Sequence, residues 1–152
     1  MVMSPEYGGA FDLLLRLVRM GLGGKSGDGR QYVSWIHHGD FVRAIRFLIA
    51  KPFIEEVVNI ASPKPLPNAD FMHALREAWG ARAGLGANGT LLESGAFLLG
   101  TETELILKSR RVVPARLLRY GFSFEHPDWP EAAAHLAGEW RSWHGLRAAA
   151  SW

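Results

Sequence analysis

The sequence contains no cysteine. Disulfides, thiolate nucleophiles and cysteine-ligated metals are therefore excluded, and a reducing cytoplasm is compatible. It also lacks any run approaching the roughly 18 unbroken apolar residues of a membrane span. The opening MVMSPEYGGAFD carries no basic leader, and Pro5, Glu6 and two glycines interrupt it. These absences point to a soluble, unsecreted, cytoplasmic chain with no membrane partner. Charge of one sign is scarce as well: 17 Lys+Arg against 15 Asp+Glu give +2. A nucleic-acid face needs clustered cations, so no nucleic-acid partner is expected. Thirteen of the 17 cations are arginines. Arginine suits anionic ligands with paired oxygens, although solvated helix faces account for most of them.

Several motifs are missing too. GGKS at 23–26 has the end of a phosphate loop, but position 19 is Arg and a strand follows where a helix should start. Gly21, Gly24 and Gly27 match GxxGxxG in the wrong setting, between a helix and a strand. No GxSxG elbow occurs. His37, His38 and Asp40 invite a metal reading, but adjacent strand residues point to opposite faces, and no other cluster has matching spacing. No metal is expected.

What is present is 152 residues, 48% hydrophobic and 21% charged, enough for one domain over 1–152. Apolar positions 11, 14, 15 and 18 predict a helix over 10–20. GLGGKSGDG at 21–29 stops it. QYVSWI alternates and predicts a strand with Val33, Trp35 and His37 on one face. Asp40 is a candidate cap for a helix burying Phe41, Ala44, Ile45 and Leu48. EVVNIAS at 56–62, apolar in its middle, predicts a second strand buried on both faces. PKPLP then forms a rigid loop. A helix follows from Asn68 to Trp79, with Phe71, Ala74, Leu75 and Ala78 inward, and GARAGLGANG at 80–89 forms a loop. Thr101 with Glu104, and Asp128 with Glu131, have capping-box spacing, and each opens a helix. Between them Pro114 and Gly121 bracket PARLLRY, and FSFEH at 122–126 is a third strand. The class is α/β or α+β, mostly helical, with about six helices and three short strands. Three scattered strands make a poor sheet, and a doubly buried one among them lacks partners.

The order of segments resembles the C-terminal half of the extended short-chain dehydrogenase/reductase superfamily, in its nucleoside-diphosphate-sugar epimerase-like branch. The resemblance runs from about Val2 to Leu136. It is carried by GGA at 8–10, LGGKSGDGRQYVSWIHHGDFV at 22–42, VVNIASPKPLPNADFMHAL at 57–75 and LLGTETELILKSRRVVPARLLRYGFSFEHPD at 98–128. Against the family pattern, Gly39 replaces an acidic residue, Arg110 a glutamine, and the usual prolines around 83–91 are glycines or other residues.

The resemblance implies a chain without its Rossmann half, as in a truncated or split protein. The family's YxxxK dyad is missing: Tyr7, Tyr32 and Tyr120 have Phe11, Ile36 and Phe124 four residues on. The family uses NAD or NADP, which this chain alone is not expected to bind. EVVNIAS corresponds to a strand of the parent sheet. Gly29, Gln31, Trp35 and His37 correspond to the wall of a nucleotide-sugar-like cleft, where Gln31 donates and accepts and Trp35 offers a stacking face. The family's frequent Arg four residues before the strand-end His is Val33 here, leaving Arg30 or Arg111 for a pyrophosphate. The expected partner is a separate Rossmann half. The alternative is a non-enzymatic module that forms a homo-oligomer through its orphan strand.

Overall fold

The computed structural model describes residues 1–82, 84–85 and 109–149. In chain order these form β1 (Val2–Met3), α1 (Ala10–Arg19), β2 (Tyr32–Val33), β3 (Ile36–His37), α2 (His38–Ile49), β4 (Leu66–Pro67), α3 (Asn68–Trp79), α4 (Ala115–Arg119) and α5 (Trp129–Ala149). The chain is mixed α/β and mostly helical. Its strands are two-residue ladders: β1 pairs parallel with β3, Val2 opposite Ile36, and β2 pairs antiparallel with β4, Tyr32 opposite Pro67.

Helices α1 and α3 obey their periodicity, whereas in α2 only Asp40 and Ala44 are buried and Ile45, expected inward, is exposed. In α1, Phe11, Leu14, Leu15 and Val18 are buried, as the spacing requires. In α3, Phe71, Met72, Ala74 and Leu75 are buried, and Gly80 ends the helix at φ 84°, a conformation glycine adopts without strain. In α5, Ala132, Ala133, Leu136 and Trp140 line the inner face. These three helices share one core, and its centre is aromatic. The Trp129 ring stacks on Phe71 at 4.0 Å and meets Trp35 in a T-shaped contact at 4.9 Å. Its indole N–H donates to the Phe71 carbonyl at 2.8 Å. The buried Asp12 carboxylate accepts from Gly8 N–H and from the Trp140 indole, and it pairs with Arg16.

Several sequence expectations need correction. QYVSWI is not one strand. Its first half pairs with Leu66–Pro67 and its second with β1, while the Trp35 carbonyl between them accepts from Ser62 N–H. PKPLP is accordingly part of a ladder. FSFEH forms no strand: Phe122 fills a second small cluster with Ala44 and Leu117. EVVNIAS forms none either. Val58 and Ile60 lean on that second cluster, but Val57 is 82% exposed. An extended segment becomes a strand only when a neighbour takes up its N–H and C=O groups. Among the described residues no backbone neighbour does so for 56–60, and the Val57 carbonyl accepts from the Arg116 side chain instead. The second capping box is not made, because the Asp128 carboxylate binds Lys64 Nζ at 2.7 and 2.8 Å. The helix proposed over 105–107 lies outside the described residues.

Replacing the central indole should be costly. Trp129→Ala is expected to lower stability by about 3–5 kcal/mol. Urea unfolding followed by circular dichroism would show the transition displaced to lower concentration, or lost.

Candidate functional site

The turn at 26–31 is held by buried polar bonds. Asn68, buried at the start of α3, accepts from Ser26 N–H at 2.8 Å, and the Gln31 amide donates to the Ser26 carbonyl at 2.9 Å. Gly29 has φ 76°, and a Cβ there would meet Ala69 and Lys25 at 3.0–3.1 Å, so glycine is required on both counts. Beside this turn, the Arg111 guanidinium lies 4.9 Å over the Tyr32 ring. A cleft of ≈ 360 Å³ opens alongside β2, lined by Tyr32, Val33, Ser34, Ile60 and Arg110, among others. Ser34 Oγ ties the walls together by donating to the Arg110 carbonyl and accepting from Val112 N–H.

The five sequence candidates separate into two groups. Gly29, Gln31 and Arg111 lie on the turn and its flank. Trp35 and His37 are buried beneath. Both faces of Trp35 sit in the core, and its indole N–H reaches the Lys64 carbonyl at 3.3 Å. Arg30 stands on the exposed side of the turn, its N–H bonded to Asp28.

His37 belongs to a second constellation, at the junction of β3, α2 and α5. Helix α2 begins at His38, so His37 is its cap: Nδ1 accepts from Gly39 N–H at 3.1 Å. Asp40, the expected cap, instead lies in the first turn and is fully buried. Its carboxylate accepts from Glu125 and His126 N–H at 2.9 and 2.8 Å and from Arg43 at 2.6 Å. That clamp holds His126 against His37, ring centroids 4.0 Å apart. From α5, His135 brings Nδ1 to 3.2 Å from His37 Nε2, and Glu139 reaches His38 Nε2 at 3.1 Å. Burial, reinforced by repulsion from His126, His38 and His135 and opposed by Asp40, pushes His37 down to about 3. It is a neutral imidazole at pH 7.

Two readings of these histidines therefore need correction. His37 and His38 do not diverge: the chain turns from strand to helix between them, and their rings lie 4.4 Å apart. A further cluster does exist, since His37, His126 and His135 converge, as do His37, His38 and Glu139. The visible signal was His135 with Glu139 four residues on, sharing one face of a predicted helix. His126 had none, because its approach is set by Asp40 across 86 residues.

The comparisons define the class: the chain is similar to the C-terminal half of epimerase family proteins, extended short-chain dehydrogenases/reductases. Residues 96–136 match a family model described as a domain of unknown function, DUF1731. Over 134 residues the chain is 36% identical to the epimerase family protein Mb2239 of Mycobacterium bovis, covering 88% of this chain and 44% of that protein. Among solved structures it is similar to human epimerase family protein SDR39U1 (isoform 2) with NADPH, at TM-score 0.78 and 27% identity, over 90% of this chain and 45% of that one. It is also similar to the nucleoside-diphosphate sugar epimerase from Corynebacterium glutamicum, at TM-score 0.66 and 29% identity, over 91% and 25%. The chain thus spans less than half the length of the curated relatives it matches. No helix among the described residues is long and apolar enough to cross a membrane.

The Asp40 clamp can be tested directly. Asp40→Asn replaces one acceptor oxygen by a donor facing donors, which should cost about 2–4 kcal/mol. The expected result is a lower melting temperature, with the Glu125 and His126 amides exchanging hydrogen faster than in the parent chain.

Proposed function

We propose that the chain is the substrate-side portion of an NAD(P)-dependent, nucleotide-sugar epimerase-like oxidoreductase, competent only when a Rossmann half completes it. The carrying observation is the match, over 90% of its length, to under half of a protein crystallised with NADPH. The turn supplies the substrate wall. Gly29 lets the backbone approach closely, Gln31 presents its amide carbonyl, and Arg111 offers a cation for a diphosphate, with Arg30 on the open side of the same turn. Trp35 and His37 act from beneath, fixing the strand that carries the wall.

The surface supports a missing partner. Apolar Val42, Ile45 and Ile49 recur on one side of α2 and are exposed, Ile49 at 74%. Phe53 and Val57 continue the stripe at 64% and 82%. Exposed apolar side chains in this number favour a surface meant to be covered. The same stripe favours the second reading, in which two copies of this chain cover each other and no cofactor is involved.

The discriminating experiment mixes the chain with the separately expressed N-terminal part of the Mycobacterium bovis relative. Tight NADPH binding is expected for the mixture and not for the chain alone, and Ile49→Asp should weaken association by about tenfold or more. A stable homodimer that never captures the Rossmann half or NADPH would replace this reading with the second.

A further inference from the structure

The histidine junction meets the substrate wall only at His37, which supports it from beneath, yet it assembles the donor set of a metal centre. Three imidazoles, from His37 at the end of β3, His126 in the loop before α5, and His135 on α5, bring one ring nitrogen each to within 4.8 Å of one another. His37 Nε2 and His135 Nδ1 are 3.2 Å apart. Two nitrogens bound to one tetrahedral zinc ion at 2.0–2.1 Å stand about 3.3 Å apart, so this spacing is already that of a shared ion. The third donor carries an independent sign. His126 Nδ1 is buried with no hydrogen-bond partner, and a buried polar atom left alone calls for a ligand. His126 is also the residue whose backbone the Asp40 clamp fixes.

We propose that His37, His126 and His135 bind a divalent transition-metal ion, zinc by choice. Three neutral imidazoles suit zinc and exclude the hard oxygen-seeking cations, calcium and magnesium. Glu139 lies beside the set, bonded to His38 and 3.6 Å from His135 Nδ1. It offsets the charge of the ion, and it orients His38 as an outer partner. The fourth position is left to water.

One proton has to move. Because His37 Nδ1 accepts from Gly39 N–H, the proton of this neutral ring sits on Nε2 and points at His135. Binding through Nε2 transfers it to Nδ1 and gives up the Gly39 contact. Residue 39 has no Cβ, and one placed there would stand 3.2 Å from Nδ1. Glycine thus leaves that side of the ring open for the adjustment. The site lies at the end of β3, in the loop before α5 and on α5, and its metal readout is independent of the oxidoreductase reading.

The test uses the full 152-residue chain without a histidine tag, stripped with a chelator and titrated calorimetrically with Zn²⁺. One equivalent should bind in the micromolar range or tighter, and Co²⁺ in its place should give the intense visible bands of four-coordination. His135→Gln, a half-exposed change the fold tolerates, and His126→Gln should each weaken binding by at least the roughly 10–100-fold that losing even an outer partner costs. His73→Gln, whose imidazole pairs with Glu77 on α3, should leave binding unchanged. Sub-stoichiometric uptake by the folded parent chain would overturn the proposal. So would unaltered zinc affinity in a His135→Gln variant with the parent's circular dichroism.

Discussion

The indole of Trp129 is the contact on which the remaining structure depends. It opens α5, lies flat on Phe71 of α3, and meets Trp35, between the two short ladders, in a T-shaped contact. Three segments distant in sequence are therefore tied at one ring. With strands only two residues long, the two ladders among the described residues supply few hydrogen bonds and organise little of the fold. Aromatic packing and a handful of buried polar clamps take that role. Removing Trp129 would open a void between α3 and α5 that local adjustment cannot fill.

The buried carboxylates are the second organising device. Asp12 and Asp40 each lie in the first turn of a helix, are fully buried, and are satisfied by several donors. Each joins its own helix to a remote part of the chain. Asp12 ties α1 to α5 through Trp140, and Asp40 ties α2 to the loop before α5. A carboxylate near a helix N-terminus also meets the positive end of the helix dipole, which offsets part of the cost of burying its charge. Both groups therefore specify which pieces meet, beyond any net contribution to stability.

What was legible in the sequence follows the range of the interaction responsible. Helices α1 and α3 were readable because their period and their stops, Gly21 and Gly80, are local. The family resemblance was readable because it rests on the order of four segments. The strands were misread for the opposite reason. QYVSWI has strand composition, but its partners are Leu66–Pro67 and Val2–Met3, and no local pattern records that choice. EVVNIAS has the composition of a buried strand but joins no ladder among the described residues. Its apolar side chains exceed what this polypeptide covers. Of the residues that the resemblance assigns to a wall, Gly29 and Gln31 lie on the turn at 26–31. The depth of Trp35 could not be read from the sequence, since burial of a ring depends on Trp129 and Phe71 arriving from elsewhere.

The histidine junction shows how a rule can mislead when applied one step too far. Alternation separates neighbours only while the chain stays extended, and His37 is the last extended residue before α2. At such a junction side chains i and i+1 can converge, as His37 and His38 do. The same turn puts the helix start beside α5, whose i, i+4 face carries His135 and Glu139. Glycine at 39 removes the one side chain that would crowd His37 from its own helix. A cluster of this kind is assembled from one helix start, one helix face and one clamped loop. Its spacing in sequence, 37, 126 and 135, therefore resembles no local ligand motif, and only the meeting of the β3 end, the clamped loop and α5 brings its nitrogens together.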